Sequence, residues 1–344
     1  MNFISFGEIM LRLSTKNNER IIQSNELEVS FAGSESNVAV NLAGWGFNTA
    51  FASSLPHNEL GNKAINDLKR YGVDIRFIKL KPDSRLGIIF VEKGANQLAS
   101  KVIYDRTNSA FANESFDDSY FYDAMEGKEW FHWSGITPGL GYQSIENIKT
   151  AIKIAKQKKL TISCDLNYRS KLWNFGVKPS EIFPELLEDV NIITGNEEDA
   201  VIMLGLKSKP IDVNFGKINI NAYNEIGHEI FQKFPNCKIV GFSLRESISA
   251  DHNSWSGILM NGSNTYFSAK YEIRNIIDRV GAGDSFTAGL IYGLSVFNND
   301  YQKIVEFATA ASCLKHSVKG DYCLVALSEI CNLMAGNASG RITR

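Results

Sequence analysis

Asp278-Arg-Val-Gly-Ala-Gly-Asp284-Ser-Phe286 is the stretch of this sequence that says most about fold and chemistry. Gly281 and Gly283 flank an alanine, a carboxylate follows at once, and an apolar run with helical spacing begins at Phe286. A glycine turn that opens a helix presents free backbone N–H groups and the positive end of the helix dipole, which suits a phosphate. A carboxylate there would repel the anion unless it has its own task, such as taking a proton from a hydroxyl that attacks the phosphate.

The same residues also have a simpler explanation, because Asp is a good helix N-cap and Gly often precedes a helix. Two standard nucleotide motifs are absent from the sequence. The fingerprint Gly-X-Gly-X-X-Gly fails at Phe286, and Gly-X-X-X-X-Gly-Lys-Ser/Thr does not occur. A nicotinamide-dependent enzyme is therefore the least favoured class, and the 278–286 stretch needs support from elsewhere.

Composition narrows the class of protein. The 344 residues, 44% of them apolar, are enough for one large α/β domain with a small addition. A net charge of −2 gives no reason to expect nucleic acid or a membrane surface as a partner. The five cysteines lack Cys-X-X-Cys spacing, which indicates reduced thiols, and the histidines are too dispersed for a metal cluster. No segment approaches 18 unbroken apolar residues, so we expect a soluble, cytoplasmic protein that binds small molecules.

Short β-rich runs alternate with helical patterns along most of the chain. Strands are predicted over 2–7, 130–134, 160–166, 190–194 and 238–244, and helices over 144–159, 197–204 and 224–234. This alternation predicts a mostly parallel sheet covered by helices on both faces, with ligands at the carboxyl ends of the strands. We expect one domain over residues 1–335, followed by a loose C-terminal tail over 336–344.

One region departs from this alternation. Leu86–Lys93 and Lys101–Arg106 read as two strands of a hairpin, and Arg12–Phe31 is also strand-like. Together they predict a small β-sheet lid formed by about residues 12–33 and 84–108, which would exclude water during group transfer. The exposed edges and face of such a sheet favour a homo-oligomer formed through the lid.

Two arginines are candidates for holding an anion. Strand spacing places Tyr104 and Arg106 on one face, and Arg169 follows a predicted strand at its carboxyl end. Guanidinium groups bind carboxylates and phosphates bidentately. The alternatives are a surface Tyr–Arg pair and a structural ion pair between Arg169 and Asp165.

Two predicted helix starts carry further candidates. Gly33 permits close approach to a ligand and Asn37 offers hydrogen bonds, while Glu198 and Asp199 suit a Mg²⁺ ion held through water. Asn196 opens the second of these helices. The alternative in both places is ordinary helix capping and dipole compensation.

Together these stretches resemble the ribokinase-like (PfkB) family of sugar kinases. Val280–Phe286 is similar to its C-terminal signature and Gly33–Asn37 to its N-terminal signature, and the likeness runs from about residue 1 to about residue 330. Within the family, Gly7–Leu13, Tyr104–Arg106 and Asp165–Trp173 are most similar to the 2-keto-3-deoxygluconate kinase branch. The resemblance implies a three-layer αβα sandwich with a small β-sheet lid.

The resemblance also implies ATP and Mg²⁺ as cofactors and phosphorylation of a sugar-acid hydroxyl. Asp284 would be the general base, and the amides of Gly281, Ala282 and Gly283 would form an anion hole. The implied sugar-binding residues are Gly33, Asn37, Tyr104, Arg106, Arg169 and Asp284. The implied nucleotide contacts are Asn196, Ser243, Arg245, Gly281, Gly283 and Lys315.

Two other functions remain open. A fructokinase or another neutral-sugar kinase of this fold would have no carboxylate for Arg106 and Arg169. A sugar-acid-binding protein without catalysis would not need the carboxylate of Asp284 beside a phosphate site.

Overall fold

The structure, a computed structural model, describes residues 1–207, 220–262 and 264–337. The strands in these residues are β1 (Asn2–Phe6), β2 (Met10–Thr15), β3 (Leu27–Ala32), β4 (Asn48–Pro56), β5 (Ile78–Lys81), β6 (Ile88–Glu92), β7 (Lys101–Asp105), β8 (Trp130–Ser134), β9 (Thr161–Asp165), β10 (Ile192–Gly195), β11 (Ile239–Ser249), β12 (His252–Met260), β13 (Thr265–Phe267) and β14 (Tyr271–Arg274). The helices are α1 (Ser34–Gly44), α2 (Glu59–Arg70), α3 (Asp118–Ala124), α4 (Tyr142–Gln157), α5 (Pro179–Leu186), α6 (Glu197–Leu204), α7 (Ile220–Lys233), α8 (Ala282–Val296), α9 (Tyr301–Lys315) and α10 (Leu327–Met334).

A ten-stranded sheet forms the centre of the molecule. Its order is β13–β12–β11–β10–β9–β8–β1–β4–β5, with β14 paired to β12. Neighbouring strands are parallel throughout the run β11–β10–β9–β8–β1–β4–β5 of this order. β12 is antiparallel to each of its neighbours. The predicted mostly parallel sheet is therefore confirmed. Its parallel strands all end on one edge, where a ligand crevice is expected.

Helices cover both faces of this sheet. Successive residues of β1 show the reason, because Phe3 belongs to one buried apolar cluster while Ile4 and Phe6 belong to the other. Ile192 and Ile193 of β10 divide in the same way. Alternate side chains of a strand point to opposite faces, so each face needs its own helical layer. The arrangement is a three-layer αβα sandwich, as predicted.

A second sheet of four strands has the order β3–β2–β6–β7. β6 and β7 form the predicted antiparallel hairpin, and β2 joins β3 to it by pairing parallel with β6. One face of this sheet contributes Met10, Ile89 and Val91 to a small apolar cluster that also includes Val280. The small sheet therefore packs directly on the stretch that opens α8.

Two details complete the architecture. The segment 247–255 continues β11 into a long hairpin with β12, which extends the predicted strand 238–244 by five residues to Ser249. Most of the predicted tail, residues 338–344, lies outside the described residues. No helix in the described ranges combines the length and apolar character needed to cross a membrane.

Candidate active site

The start of α8 is fixed by Gly281. This residue is the N-cap of the helix and has φ +83°, a left-handed conformation that favours glycine. A Cβ atom at this position would stand 2.0 Å from the carbonyl oxygen of Asp321. Asp284 lies one turn further on and is not the cap. The capping explanation for this carboxylate therefore fails.

Asp284 is instead held by side chains of another helix, α1. The Ser34 hydroxyl donates to its Oδ1 at 2.6 Å, and Nδ2 of Asn37 donates to its Oδ2 at 2.6 Å. Nδ2 of Asn167, in the loop after β9, donates in turn to the Ser34 hydroxyl oxygen at 2.9 Å. Burial raises the pKa of Asp284, and the bonds from Ser34 and Asn37 lower it. The carboxylate is thus oriented by α1, while 8% of its residue surface stays exposed.

Gly33 is where α1 approaches β1. Its backbone is extended, and an added Cβ would stand 2.3 Å from the carbonyl oxygen of Glu8. Only a glycine allows the helix to start this close to the end of β1. The side chain of Asn37 keeps a buried Oδ1 without a hydrogen-bond partner, so one of its polar atoms is available.

Asp284 and the start of α8 border a cleft of about 460 Å³ at the carboxyl ends of β9 and β10, roofed by β6 and β7. The predicted site residues that line it are Tyr104, Arg169, Asn196, Glu198, Asp199, Ser243, Arg245, Gly281, Ala282, Gly283 and Asp284. A Cβ at Gly283 would meet no atom within 4 Å, so the backbone here faces open space. The anion-hole loop and the predicted base therefore share one cavity.

Arg169 supplies positive charge to the cleft. Its Nη1 donates to the Tyr168 carbonyl at 2.8 Å, and in the described part of the chain it forms no ion pair. The proposed structural pair with Asp165 is thus not formed. Burial raises the pKa of Asp165 and of Asp199, and the charge of Arg169 offsets part of that rise. An incoming anion would meet a guanidinium that no carboxylate already binds.

Three buried carboxylates face this arginine. Burial, followed by repulsion from Asp284 and Asp199, raises the pKa of Asp165 well above its ordinary value. Burial also raises the pKa of Asp199 to about 7. Asn196 caps α6 by accepting the Asp199 backbone N–H at 2.8 Å, and it donates to the Asp199 side chain at 3.1 Å.

This donor set fits a hydrated divalent cation. Hard oxygen ligands and unfavourable carboxylate repulsion both favour Mg²⁺. Among residues 1–207, 220–262 and 264–337, no three acidic, histidine or cysteine side chains are grouped closely enough to hold a metal unaided. Water would therefore have to complete the coordination, as the sequence predicted for Glu198 and Asp199.

Comparison with known proteins decides the family. Residues 2–325 match the pfkB family of carbohydrate kinases. The chain belongs to that family. This pfkB kinase is similar to a 2-dehydro-3-deoxygluconokinase of Thermotoga maritima, at 42% identity and a TM-score of 0.90 over 98% of this chain and 100% of the other.

Two further relatives extend the comparison. The kinase is 28% identical to a 2-dehydro-3-deoxygalactonokinase of Haloferax volcanii over 98% of each chain. It shares the fold of an uncharacterized sugar kinase of Pyrococcus horikoshii in complex with ATP, at 19% identity and a TM-score of 0.73 over 95% of this chain and 96% of the other. The protein is therefore a sugar kinase, and its exact acceptor is a separate question.

Four predicted residues do not line the cleft of this pfkB kinase, namely Gly33, Asn37, Arg106 and Lys315. Arg106 follows the last residue of β7, and its Nε and Nη2 both donate to Oε2 of Glu8, the former at 2.8 Å. The pair is buried, so Arg106 does not line the cleft, whereas Tyr104 and Val102 of the same strand face do. Lys315 is fully buried, and its Nζ donates to the carbonyls of Asp278 and Val318 at 3.2 and 3.1 Å.

Sequence reasoning missed several cleft residues of the kinase. His316, rather than Lys315, reaches the cleft, and its ring lies 4.8 Å from that of Trp255. Burial lowers the pKa of His316 to about 4, so the ring is neutral near pH 7. Arg279 also lines the cleft. No local pattern marks these three residues, because they come together only through tertiary packing.

Proposed function

We propose that this kinase transfers the terminal phosphoryl group of ATP to a hydroxyl of 2-keto-3-deoxygluconate, also called 2-dehydro-3-deoxygluconate, giving 2-keto-3-deoxy-6-phosphogluconate. One observation carries the proposal. Asp284 stands in the first turn of α8, beside the open backbone of Gly283, in a cleft that also presents the unpaired guanidinium of Arg169. A base, an anion hole and a carboxylate partner are the three parts that this reaction needs.

Asp284 acts as the general base in this account. Its carboxylate takes the proton of the acceptor hydroxyl as that oxygen bonds to phosphorus and the bond to the ADP leaving group breaks. Ser34 and Asn37 hold the carboxylate in place at 2.6 Å each. The backbone amides of Gly281, Ala282 and Gly283 stabilise charge on the transferred group without reorganising.

Arg169 is the proposed partner of the substrate carboxylate, with Tyr104 beside it in the cleft. Asn37 donates to Asp284 from behind the cleft, and we propose that Asn37 and Gly33 contribute to the sugar site from there. We propose that Arg106 acts there through Glu8, because its guanidinium is already bound by that carboxylate. A neutral sugar would leave Arg169 unpaired, and this disfavours a fructokinase.

The nucleotide side of the cleft holds Asn196, Ser243 and Arg245. Arg245 and Arg279 both line the cleft, and burial, then repulsion from Arg245, lowers the pKa of Arg279. A polyphosphate would relieve that repulsion. Mg²⁺, when bound, would neutralise phosphate charge, and Asp199 and Glu198 are the residues that would hold it through water.

A coupled assay of ATP consumption tests the proposal. The acceptors are 2-keto-3-deoxygluconate, its galacto epimer, fructose and ribose, each at the same concentration. We expect strong turnover with the gluco acid and little with either neutral sugar. Turnover with fructose or ribose would contradict the acceptor and support a neutral-sugar kinase. Tight sugar-acid binding without ATP consumption would instead support a protein that only binds its ligand.

The small sheet is the surface through which we propose that two copies of the chain associate. Its outer face carries a row of paired apolar residues, Val29, Leu13, Phe90 and Ile103, one from each strand. Val29 and Ile103 are each 52% exposed, so this row presents apolar surface to solvent. Light scattering should show a dimer that becomes a monomer in Ile103→Glu, and a monomeric wild type would contradict it.

A further inference from the structure

Four charged side chains are buried together behind the anion-hole loop. Arg12, Asp278, Lys315 and Asp321 are 1%, 4%, 0% and 3% exposed, and we call them the charged cluster. Two cations face two anions, so the group is formally neutral. None of the four side chains lines the cleft, yet they stand directly behind Gly281, whose Cα packs on the Asp321 carbonyl.

Arg12 brings the small sheet into this cluster. It lies on β2, and its Nη2 donates to Oδ2 of Asp278 at 2.6 Å. Its Nη1 donates to Oδ1 of Asp321, and its Nε donates to the Ser14 hydroxyl oxygen at 2.9 Å. Each guanidinium nitrogen therefore has an acceptor in a fixed direction, a geometry that a planar fork provides and an ammonium does not.

The two aspartates continue the connection to the anion-hole loop. Oδ1 of Asp278 accepts the Val280 backbone N–H at 3.1 Å, one residue before Gly281. Its Oδ2 accepts the Gly320 backbone N–H at 3.2 Å, which ties the loop after α9 to the same carboxylate. Lys315 donates to the Asp278 carbonyl at 3.2 Å. Arg12 thus holds both segments that define the position of Gly281.

The small sheet also covers the acceptor side of the cleft. Tyr104 of β7 and Ile89 of β6 line the cavity, and β6 is paired in register with β2. A substrate that moves this sheet therefore moves Arg12 with it. Buried charge pairs gain little stability for their desolvation, but they tolerate few geometries, so they are well suited to fix one arrangement.

We propose that Arg12 is a positioning residue that couples the sheet above the sugar to the anion-hole amides of 281–283. The inference rests on the proposed function. It predicts that sugar acid and nucleotide each bind more tightly when the other is present. Because the two binding free energies are linked, the sugar acid must raise the affinity for nucleotide by the same factor as the nucleotide raises the affinity for sugar acid. When Arg12 is substituted, each ligand should still bind, but it should no longer raise the affinity for the other.

The test is calorimetric titration with a non-hydrolysable ATP analogue, with and without the acceptor that the ATP-consumption assay identifies. For the wild type we expect the acceptor to raise analogue affinity by at least fivefold, the lower end of typical coupling. In Arg12→Lys, which keeps the charge but loses the fork, the factor should fall to about one. Affinity for each ligand alone should stay within about threefold, while kcat falls by roughly 10- to 100-fold.

Arg20→Lys is the matched control. Arg20 also extends from the small sheet region into an ion pair, with Glu92, but that pair does not touch the anion-hole loop. Its coupling factor and kcat should equal those of the wild type. If Arg12→Lys does not fold, Asp321→Asn replaces it in the test. This change weakens the ion pair between Arg12 and the side chain at position 321, and it leaves the backbone carbonyl of that residue against Gly281.

Three results separate the possible failures. Wild-type coupling retained in a folded Arg12→Lys overturns the inference, and so does a wild type that turns over but shows no coupling. Absence of turnover with all the sugar acids and neutral sugars overturns the proposed function instead. A variant with reduced kcat and unchanged coupling shows that the cluster is only structural, which also refutes the proposal.

Discussion

Gly281→Ala is the substitution whose effect the structure specifies most fully. The residue has φ +83°, and its new Cβ would stand 2.0 Å from the carbonyl oxygen of Asp321. Small local shifts cannot relieve either the unfavourable backbone conformation or the steric clash. The left-handed conformation is required by the turn that opens α8, and the opposing atom belongs to backbone rather than to a flexible side chain.

The expected cost follows from these two terms. A non-glycine residue in the left-handed region costs about 1–2 kcal/mol. Forcing a methyl group into a filled space adds about 1–3 kcal/mol. The free energy of unfolding should therefore fall by about 2–5 kcal/mol. Displacing the 281–283 amides by about 1 Å should also lower kcat by roughly 100-fold.

Urea unfolding and steady-state kinetics measure both effects. With a slope of about 3 kcal/mol per molar urea, the midpoint should fall by roughly 1 M. Gly283→Ala is the matched control, since its Cβ would meet nothing within 4 Å and the position is helical. That variant should gain about 0.5–1 kcal/mol in stability, while its methyl group in the cleft raises KM for ATP. An unchanged midpoint in Gly281→Ala would refute the reasoning.

Three other predictions concern charge in the cleft. Arg169→Ala should raise KM for the sugar acid by roughly 10- to 150-fold, the equivalent of a lost charge-assisted hydrogen bond of about 1.5–3 kcal/mol, and unchanged KM would contradict the carboxylate assignment. The pKa of Asp199 is displaced from its ordinary 3.8 to about 7, so this group's contribution to stability is complete below pH 4 and is lost as pH rises through 7. Asp199→Asn, which cannot ionise, should therefore stabilise the free enzyme at pH 8, by roughly 4 kcal/mol at most, and by much less at pH 4 in thermal unfolding. Because burial raises the pKa of Asp284 and a base must be ionised, kcat/KM should fall on acidification at a pH above 3.8, whereas a flat profile down to pH 4 would exclude Asp284 as the group that titrates.

The fold could be predicted because its determinants are local. Apolar residues with strand or helical spacing predict the strands and helices, and the glycines before α8 predict where that helix begins. Each of these patterns depends only on residues that are close together in the sequence. Asp284 and Arg169 could be placed in a cleft for the same reason, since one lies in the first turn of a helix and the other follows the carboxyl end of a parallel strand.

Other parts of the site depend on partners far away in sequence. Arg106 binds Glu8 across 98 positions, and Arg12 binds Asp321 across 309 positions. Neither pair can be recognised from local spacing, so strand alternation placed Arg106 on the face of Tyr104 without revealing that Glu8 binds it. Lys315 shows the same limit, because one residue along α9 separates a buried ammonium from the cleft-lining His316.

The turnover of Asp284→Asn tests the central claim most directly. The substitution keeps the shape of the side chain and removes the base, while the backbone amides of 281–283 stay in place. We predict that kcat falls by roughly 10²–10⁴ with 2-keto-3-deoxygluconate as acceptor, and that affinity for ATP changes little. Near-normal turnover in a folded Asp284→Asn enzyme would contradict the claim that Asp284 takes the proton of the acceptor hydroxyl.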